Sequence, residues 1–408
     1  MIKVCQVNTT VNSGSHGRIA EQIGCLVLDS GGKSFFAFGR DTNFSRSIKF
    51  KINNVLDFYI HAIISRLFDR HGLGSKLATK RLCNFITSVN PDIIHLHNIH
   101  GYYLNYIVLF EFLREFKKPV VWTLHDCWPF TGHCAFFEKV GCEKWKSQCF
   151  ECPQIDSYPK SFGWDNSSNN FFLKKEYFTS ITNLTIVPVS FWLSNVLKYS
   201  FLKNVKSVVI YNGIDLSCFR VLDNIDHFIG FKFSLSLDSK IILGVANVWE
   251  ERKGLADFIQ LSMYLPSKFK IILVGLNKDQ ISNLPANIFG IERTDNTLEL
   301  VKIYNSSYVF FNPTYEDNFP TTNLEALACG VPVITYNTGG SPEAIDDSTG
   351  YVVEKGAINE VLKIILESKK LKSNSIRLEC RERAEKYFDK NVNFSEYLNL
   401  YNELYKYS

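Results

Sequence analysis

Apolar residues recur along this chain in two alternating patterns. Short, β-rich apolar runs are followed by longer segments in which apolar positions return every three or four residues, the spacing of a helix. Alternation of this kind is typical of parallel βαβ units. It occurs in both halves of the chain, so the sequence predicts an α/β protein with two domains, each built on its own parallel sheet.

The strands and helices follow directly from these runs. In the first half we predict strands over 2–8, 34–39, 93–97, 120–125 and 185–190, with a helix over 19–28. In the second half we predict strands over 240–248, 269–275, 308–313 and 331–336, with helices over 255–264, 298–305 and 321–329. Several of these strands end in glycine or polar residues, and ligands bind at that end of an open α/β sheet.

The boundary between the halves is predicted from a strand and a turn. The apolar run that starts at Val208 leads into Asn212-Gly213, so we expect a strand that ends in a turn and a hinge near 205–220. The predicted domains are 1–205 and 206–385. Beyond Lys370 the pattern predicts helix, and we expect the last segment, 386–408, to pack back on the first domain.

Composition and charge exclude several classes of protein. The 408 residues exceed what one core usually organises, and 46% apolar with 21% charged residues is ordinary for a folded protein. The chain has 45 basic and 41 acidic residues, and a net charge of +4 is too small to indicate a nucleic-acid partner. The first residues are not typical of a signal peptide, and the apolar runs are shorter than the ~20 residues of a spanning helix. We expect a cytoplasmic protein, at most peripherally attached to the inner face of the cytoplasmic membrane.

The segment 312–334 carries the strongest chemical signal. Its pattern predicts a strand, an acidic turn at Glu316-Asp317, a helix and another strand. Pro320 suits the first helical turn, where its missing N–H group is no loss. The free amides of that helix terminus favour a phosphate. Thr321, Thr322 and Glu325 share one face of the helix by their spacing.

This segment resembles the E-x7-E signature of the family 4 retaining glycosyltransferases. The resemblance implies the GT-B fold, in which two Rossmann-like domains face each other across a cleft. It also implies that Glu325 contacts the ribose of a nucleotide-sugar donor and that an earlier carboxylate contacts the sugar. Counting back from Glu325 gives Asp317, with Glu316 one residue earlier, and both stay candidates. The expected donor contacts in the same segment are Phe319, Thr321 and Thr322.

A charged loop at 244–254 supplies the predicted cations. By resemblance, Lys253 binds the donor phosphates and stabilises the leaving nucleoside diphosphate, the role expected where negative charge builds up in the transition state. The arginine that the family carries further upstream is Asn247 here, and Arg252 is the candidate to compensate. As isolated residues, both cations would more often be solvated surface charges.

The first half contributes a glycine-rich loop and a histidine. Gly14 and Gly17 follow the first strand and would let the backbone approach a phosphate or the acceptor. His125 ends another strand, where the resemblance places a histidine at the donor sugar. The neighbouring Asp126 could be proposed as a nucleophile, but we expect an orienting role because same-face attack is the family's mechanism of retention.

Five of the eleven cysteines fall in one predicted insertion, 127–165. Without a secretory signal they are expected to be reduced thiols. Cys134, Cys142, Cys149 and Cys152 have a spacing compatible with a structural zinc site, the alternative being thiols packed as small apolar residues. Four aromatic residues of the insertion are predicted to form an acceptor-binding wall: Trp128, Phe130, Phe136 and Phe137.

Together these features predict a particular reaction. The resemblance implies transfer of a sugar from a UDP- or GDP-sugar to a glycan acceptor, expected to be lipid-linked, in the synthesis of O-antigen, capsule or exopolysaccharide. No Asp-x-Asp motif stands at a strand end, so we expect catalysis without a metal cofactor. Two alternatives stay open: a non-catalytic nucleotide-sugar-binding module, and a hydrolase or epimerase of the same fold. A nicotinamide dehydrogenase is disfavoured because the G-x-G-x-x-G fingerprint is missing.

Overall fold

Two units, each with its own sheet, make up the chain. The computed structural model describes residues 1–40, 42–223, 228–373 and 375–406. The first unit comprises Met1–Tyr211 together with the chain from Asn393 onward, and the second comprises Asn212–Val392. The domain limits predicted from the sequence lie a few residues before these two divisions.

Among the described residues, the first unit contains seven strands whose neighbours all run parallel. They are β1 (Lys3–Asn8), β2 (Lys33–Phe38), β3 (Ile48–Lys51), β4 (Ile93–Leu96), β5 (Val120–Leu124), β6 (Leu184–Pro188) and β7 (Lys206–Ser207). Their order is β3-β2-β1-β4-β5-β6-β7, which reverses the direction of winding between β1 and β4. Ligands bind at the carboxyl ends of strands beside such a reversal.

Helices connect these strands. They are α1 (Gly14–Asp29), α2 (Val55–Phe68), α3 (Lys76–Val89), α4 (Tyr106–Phe116), α5 (Ser167–Phe178) and α6 (Phe191–Leu197). On α1 the buried Ile19, Ile23 and Val27 recur every four residues and pack into the core with Val4 of β1. The central strands are almost wholly buried, which is why their sequences are nearly continuous apolar runs.

The second unit repeats this architecture with six described strands, again parallel throughout. Its elements are α7 (Phe228–Phe233), β8 (Lys240–Val245), α8 (Leu255–Ser262), β9 (Phe269–Val274), α9 (Lys278–Ser282), β10 (Ile288–Ile291), α10 (Thr297–Asn305), β11 (Val309–Asn312), α11 (Thr321–Ala328), β12 (Val333–Tyr336), β13 (Gly350–Val353), α12 (Ile358–Glu367) and α13 (Ile376–Tyr387). The strand order β10-β9-β8-β11-β12-β13 places the reversal between β8 and β11.

A last helix, α14 (Lys390–Lys406), completes the core of the first unit. Phe394 and Tyr397 of this helix pack with Val4 and other buried residues beneath the first sheet. The Tyr397 hydroxyl lies 3.0 Å from Oγ1 of Thr123, and the Tyr401 hydroxyl lies 2.5 Å from Nδ1 of His95. Aromatic residues from the end of the chain therefore belong to the same core as its first strand.

Every strand predicted within the two halves has an observed counterpart, but the strand predicted from Val208 is wrong. The structure assigns strand only at Lys206–Ser207. The amides of Val208 and Ile210 still donate to the carbonyls of Ile186 and Pro188 beside them. These two backbone hydrogen bonds extend the pairing with β6, although the segment is not a regular strand.

Candidate active site

A basic loop and an acidic turn meet where the second sheet reverses its strand order. The loop follows β8 and ends in a turn of 3-10 helix at Glu251–Lys253, whereas the acidic turn follows β11 and leads into α11. Since β8 and β11 are parallel neighbours, their carboxyl ends lie at the same edge of the sheet. The fold thus brings together the donor-site residues predicted in two separate segments.

An ion pair joins the two segments. The Lys253 ammonium lies 2.6 Å from Oδ2 of Asp317, and the two side chains are 20% and 19% exposed. Arg252 instead donates from Nη1 to the backbone oxygen of Glu316 at 3.0 Å and from Nε to Glu250 at 2.9 Å. Glu316 is only 4% exposed. Of the two candidate carboxylates, Asp317 is therefore the one that pairs with Lys253, and it is more exposed than Glu316.

Backbone contacts hold the loop against the turn. The Tyr315 amide donates to the Arg252 carbonyl at 2.7 Å. Gly254, directly after Lys253, has φ +73°, and a Cβ atom there would lie 2.3 Å from the carbonyl oxygen of Pro313. Only glycine fits this position, because it tolerates both the left-handed backbone and the close approach. The glycine after the lysine is thus needed to place the lysine.

Glu325 lies on α11, one turn into the helix, and is 8% exposed. Its Oε2 accepts a hydrogen bond of 2.9 Å from the Tyr304 hydroxyl of α10. Burial, followed by the nearby Glu325 charge, raises the pKa of Tyr304 well above its ordinary value, so the phenol stays a donor. Tyr304 cannot be predicted from the sequence, since it lies on a different helix from Glu325 and carries no local signal.

The start of α11 differs slightly from the prediction. Pro320 is the N-cap residue rather than part of the first turn, and it caps no amide with a side chain. Thr321 and Thr322 are half-buried at the first two helical positions. Phe319 is 4% exposed, and its carbonyl accepts from Nδ2 of Asn212 at 3.3 Å. The phenylalanine side chain is therefore mainly a packing residue of the turn.

Asp257 is a second residue that the sequence did not reveal. The hydroxyls of Tyr315 and Tyr336 both donate to its Oδ1 at 3.0 Å. Burial raises the pKa of this carboxyl. The Tyr315 bond ties the beginning of α8 to the acidic turn, and the Tyr336 bond ties it to β12.

At the reversal in the first sheet, three imidazoles lie close together. His97 follows β4 and His125 follows β5, and their Nδ1 and Nε2 atoms are 3.2 Å apart. The ring of His16, on α1, lies 6.0 Å from that of His125. Burial, followed by the neighbouring His97 and His16, lowers the pKa of His125 well below its ordinary value. The His125 ring is therefore neutral at neutral pH.

A buried glutamine fixes the protonation pattern of these rings. Gln6 donates from Nε2 to the Ala20 carbonyl at 2.9 Å, so its Oε1 must be the atom that faces Nε2 of His97 at 3.0 Å. His97 then carries its proton on Nε2 and offers the lone pair of Nδ1. His125 must donate from Nε2 into that lone pair, which leaves Nδ1 of His125 as an acceptor.

The glycine-rich loop contains one glycine for conformation and one for packing. Gly14 has φ +66° at the first position of α1, and a Cβ atom there would meet nothing within 4 Å. A Cβ atom on Gly17 would lie 2.6 Å from Oγ1 of Thr10, so this glycine lets the loop pack on the helix. Donor contact by either glycine stays a prediction.

Asp126 is engaged inside the first unit. Its Oδ2 lies 2.8 Å from Nε2 of His100, and its Oδ1 accepts from the Trp128 amide at 3.0 Å. The opposite nitrogen of His100 lies 2.9 Å from the Tyr158 hydroxyl. Burial alone would raise the pKa of Asp126, but the pairing with His100 brings it below its ordinary value. This arrangement suits an orienting carboxylate.

The predicted aromatic wall of the insertion is wrong. Trp128 and Phe130 are 0% exposed and Phe137 is 7% exposed, and Phe136 is half-buried. Phe130 and Phe137 pack against Trp145, with ring centroids 5.4 and 4.7 Å away. These rings form a small core for the insertion. The insertion is long and mostly irregular, so packed side chains rather than helices or strands hold it together.

Four of the five cysteines of the insertion are reduced thiols that line one cavity. Cys134, Cys142, Cys149 and Cys152 line it, and the Gly132 amide donates to the Cys149 sulfur at 3.2 Å. In the part of the chain that the structure describes, no three histidine, cysteine or acidic side chains are arranged to hold a metal ion. The zinc site stays a prediction, to be tested by metal analysis of the purified protein.

Comparison with known proteins agrees with this architecture. Residues 228–387 match the model of glycosyl transferases group 1, and residues 35–217 match that of Glycosyltransferase Family 4. The chain is 25% identical to WcaC of Escherichia coli (strain K12), named as a colanic acid biosynthesis glycosyl transferase, over 99% of this chain and 100% of that protein.

A second relative and a solved structure extend the comparison. The N,N'-diacetylbacillosaminyl-diphospho-undecaprenol alpha-1,3-N-acetylgalactosaminyltransferase of Campylobacter jejuni is 26% identical over 42% of this chain and 47% of its own length. The crystal structure of HepE from Anabaena in complex with UDP and glucose superposes with a TM-score of 0.68 at 13% identity, covering 98% of this chain and 99% of HepE.

Each matched domain contains a parallel, Rossmann-like sheet. Two such domains define a glycosyltransferase of the GT-B fold. Within that class, the chain belongs to the family 4 glycosyltransferases. Across residues 1–40, 42–223, 228–373 and 375–406, no helix has the length and apolar character needed to cross a membrane.

Proposed function

We propose that this enzyme transfers a sugar from a UDP- or GDP-sugar to a lipid-linked glycan acceptor, with retention of the anomeric configuration. The observation that carries the proposal is the Lys253–Asp317 ion pair, which lies at the strand-order reversal of the second sheet and at the approach to α11. A cation, uncapped helix amides and carboxylates are the groups that bind a diphosphate and sugar hydroxyls.

Each side chain of the second unit then has a distinct task. Lys253, with Arg252 beside it, neutralises the diphosphate as negative charge builds up on the leaving group. Asp317 accepts hydrogen bonds from the sugar hydroxyls once the phosphates have taken over Lys253, and Glu316 supports the turn. Glu325, already bonded to Tyr304, accepts from the ribose.

The first unit supplies the groups around the reacting carbon. Neutral His125 offers an acceptor nitrogen to a hydroxyl of the donor sugar, and Gly14 lets the backbone come close. Retention is assigned to same-face attack, with the leaving phosphate taking the acceptor proton. The engagement of Asp126 with His100 and the Trp128 amide supports this assignment, because a carboxylate held in that way is a poor nucleophile.

The names of two relatives support the proposed acceptor and pathway. The names of the two relatives describe colanic acid biosynthesis and a diphospho-undecaprenol-linked acceptor. By similarity we propose assembly of a bacterial surface polysaccharide on a lipid-linked acceptor at the cytoplasmic face of the membrane. Metal-independent catalysis, expected from the missing Asp-x-Asp motif, is tested by measuring transfer after treatment with EDTA.

Saturation-transfer NMR with UDP-, GDP- and ADP-sugars tests the donor site. We expect one nucleotide class to bind, and Lys253→Met and Glu325→Gln to weaken that binding. Lys268→Met, an exposed change at the amino end of β9 on the opposite edge of the same sheet, should leave it unchanged. Transfer to a polyprenyl-diphosphate sugar is then followed by NMR of the product's anomeric proton. Binding without transfer favours the non-catalytic module, and release of free sugar or an isomer favours the hydrolase or epimerase.

A further inference from the structure

Helix α2 carries its large apolar side chains on the outside. Seven of them are between 46% and 72% exposed: Val55, Leu56, Tyr59, Ile60, Ile63, Leu67 and Phe68. Positions 56, 59, 60, 63 and 67 recur every three or four residues, so they form one continuous stripe along the helix. Isolated exposed apolar residues need no explanation, but a stripe of this length marks an interaction surface.

Two polar residues of α2, His61 and Ser65, are on the inside. His61 is fully buried, and its Nε2 accepts the backbone amides of Gly72 and Gly74, each at 3.2 Å. Ser65 is 1% exposed. These contacts fix which face of α2 points inward, so the apolar stripe cannot turn toward the core without breaking them.

A neighbouring loop extends the apolar surface. The Phe162 amide donates to the Arg66 carbonyl at 2.7 Å, and the Ser161 hydroxyl reaches the same oxygen at 3.2 Å. The loop is therefore attached to the last turn of α2. Its Phe162 and Trp164 side chains are 63% and 67% exposed.

Basic side chains flank this surface. Arg66 and Arg70, at the end of α2, and Lys160, whose ammonium lies 4.9 Å from the centre of the Phe162 ring, are exposed. The two acids of the same stretch are engaged elsewhere: Asp57 accepts from the Ser75 hydroxyl, and Asp69 is buried against His133. Three cations thus flank the exposed apolar residues. Two acids of the attached loop, Asp156 and Asp165, are also exposed, and both oxygens of Asp165 accept backbone amides, from Cys152 and Ser167.

We propose that the α2 stripe, together with Phe162 and Trp164, docks the first unit onto the surface of an anionic lipid bilayer. An apolar helix face with flanking Lys or Arg and an aromatic ring is the composition that lies in the headgroup region, about 5–10 Å deep. The basic groups then meet anionic headgroups. A second copy of the chain would bring the same cations together, which disfavours self-association as the occupant.

Sedimentation with lipid vesicles tests the proposal on the full-length protein. We compare vesicles of phosphatidylcholine alone with vesicles that also contain phosphatidylglycerol, and expect binding mainly to the latter, weakened by salt. Ile60→Ser/Ile63→Ser should reduce the partition coefficient about tenfold or more. Arg66→Gln, Arg70→Gln and Lys160→Gln should each reduce it about fivefold on the anionic vesicles.

Met263→Ser/Leu378→Ser, which removes two apolar side chains exposed in the second unit, serves as the matched control and should bind like the wild type. Thermal unfolding of each variant establishes that it is folded. Quenching of tryptophan fluorescence by brominated lipids gives an independent measure of binding, and we expect this quenching to be lost in Trp164→Phe. The proposal is overturned if the wild type does not bind vesicles or if the stripe variants bind as well as the wild type. It is also overturned if the wild type is a dimer and the stripe variants are monomers. No donor or acceptor is present, so the outcome is independent of the proposed reaction.

Discussion

Nζ of Lys253 lies 2.6 Å from Oδ2 of Asp317, and this pair connects the loop after β8 to the turn after β11. Each partner has a second use in the proposed reaction, since the ammonium suits a diphosphate and the carboxylate suits a sugar hydroxyl. Without a donor, each compensates the charge of the other. Donor binding would therefore exchange one ion pair for two ligand contacts rather than expose a bare charge.

Lys253→Met should lower kcat/KM for sugar transfer by about a hundredfold or more, because it removes the cation that stabilises the leaving diphosphate. Asp317→Asn should lower kcat/KM as well, while keeping nucleoside diphosphate binding, because the asparagine leaves Lys253 in place. Steady-state kinetics and calorimetric titration with the nucleoside diphosphate separate the two effects. If Asp317→Asn abolishes diphosphate binding as fully as Lys253→Met does, the division of roles is wrong.

Tyr304→Phe should raise KM for the donor about five- to tenfold with a smaller change in kcat, because the Glu325 carboxylate loses the hydroxyl that holds it. Tyr336→Phe is the matched control, since it also removes a buried phenol that donates to a carboxylate, here Asp257. Initial rates over a range of donor concentrations give both constants. Equal changes in the two variants would argue against a specific link between Tyr304 and the donor.

Gln6→Leu should disturb the tautomer of His125, because His97 loses the acceptor that fixes its own proton on Nε2. Nitrogen-15 spectra of the imidazole rings should show His125 protonated on Nε2 in the wild type and a mixture of tautomers in the variant. We expect kcat to fall about tenfold with little change in donor KM. Wild-type spectra with the His125 proton on Nδ1 would contradict the hydrogen-bond chain.

His61 should make the free energy of unfolding decrease as the pH falls below neutral. Burial lowers the pKa of His61 from its ordinary value of 6.5 to about 3 in the folded state. As the pH falls, His61 is therefore protonated in the unfolded chain before it is protonated in the folded protein. The contribution of neutral His61 to the free energy of unfolding is fully present above about pH 6.5 and declines toward pH 3. Between about pH 7 and pH 5 the loss from this residue is about 2 kcal/mol.

Urea unfolding at the two pH values measures this effect. His61→Leu should be less stable near neutral pH, because the amides of Gly72 and Gly74 lose their acceptor, yet its stability should fall less on acidification. Ser65→Ala, a buried change on the same helix without a titrating group, should keep the wild-type pH dependence. An unchanged pH dependence in His61→Leu would refute the assignment.

The sequence alone predicts the parts of the protein that depend on local patterns. Central strands are continuous apolar runs because both sheet faces are covered, and the turn before α11 combines acids, proline and a helical stripe within a few residues. Short strands such as β3, which is mostly exposed and contains Lys49 and Lys51, were not predicted, because edge strands lack that apolar signal.

Other features depend on contacts between distant segments. Tyr304 and Gln6 contribute through partners on other elements, and nothing in their own surroundings in the sequence shows this. The aromatic segment around Trp128 predicts a binding surface, but Trp128 is buried, because aromatic residues fill a small core equally well. The stripe on α2 has an ordinary helical period, and only the structure shows that it faces outward.

The packing of α14 against the first strand has a consequence for biosynthesis. Val4 is synthesised before the second unit, whereas Tyr397 and Tyr401, which share its core, are synthesised after it. The second unit is contiguous in the chain and can complete its fold earlier, but the first unit waits with an unfilled core until α14 has left the ribosome. During that interval a nascent chain would depend on chaperones, and removal of the last helical turns should cause aggregation of the first unit.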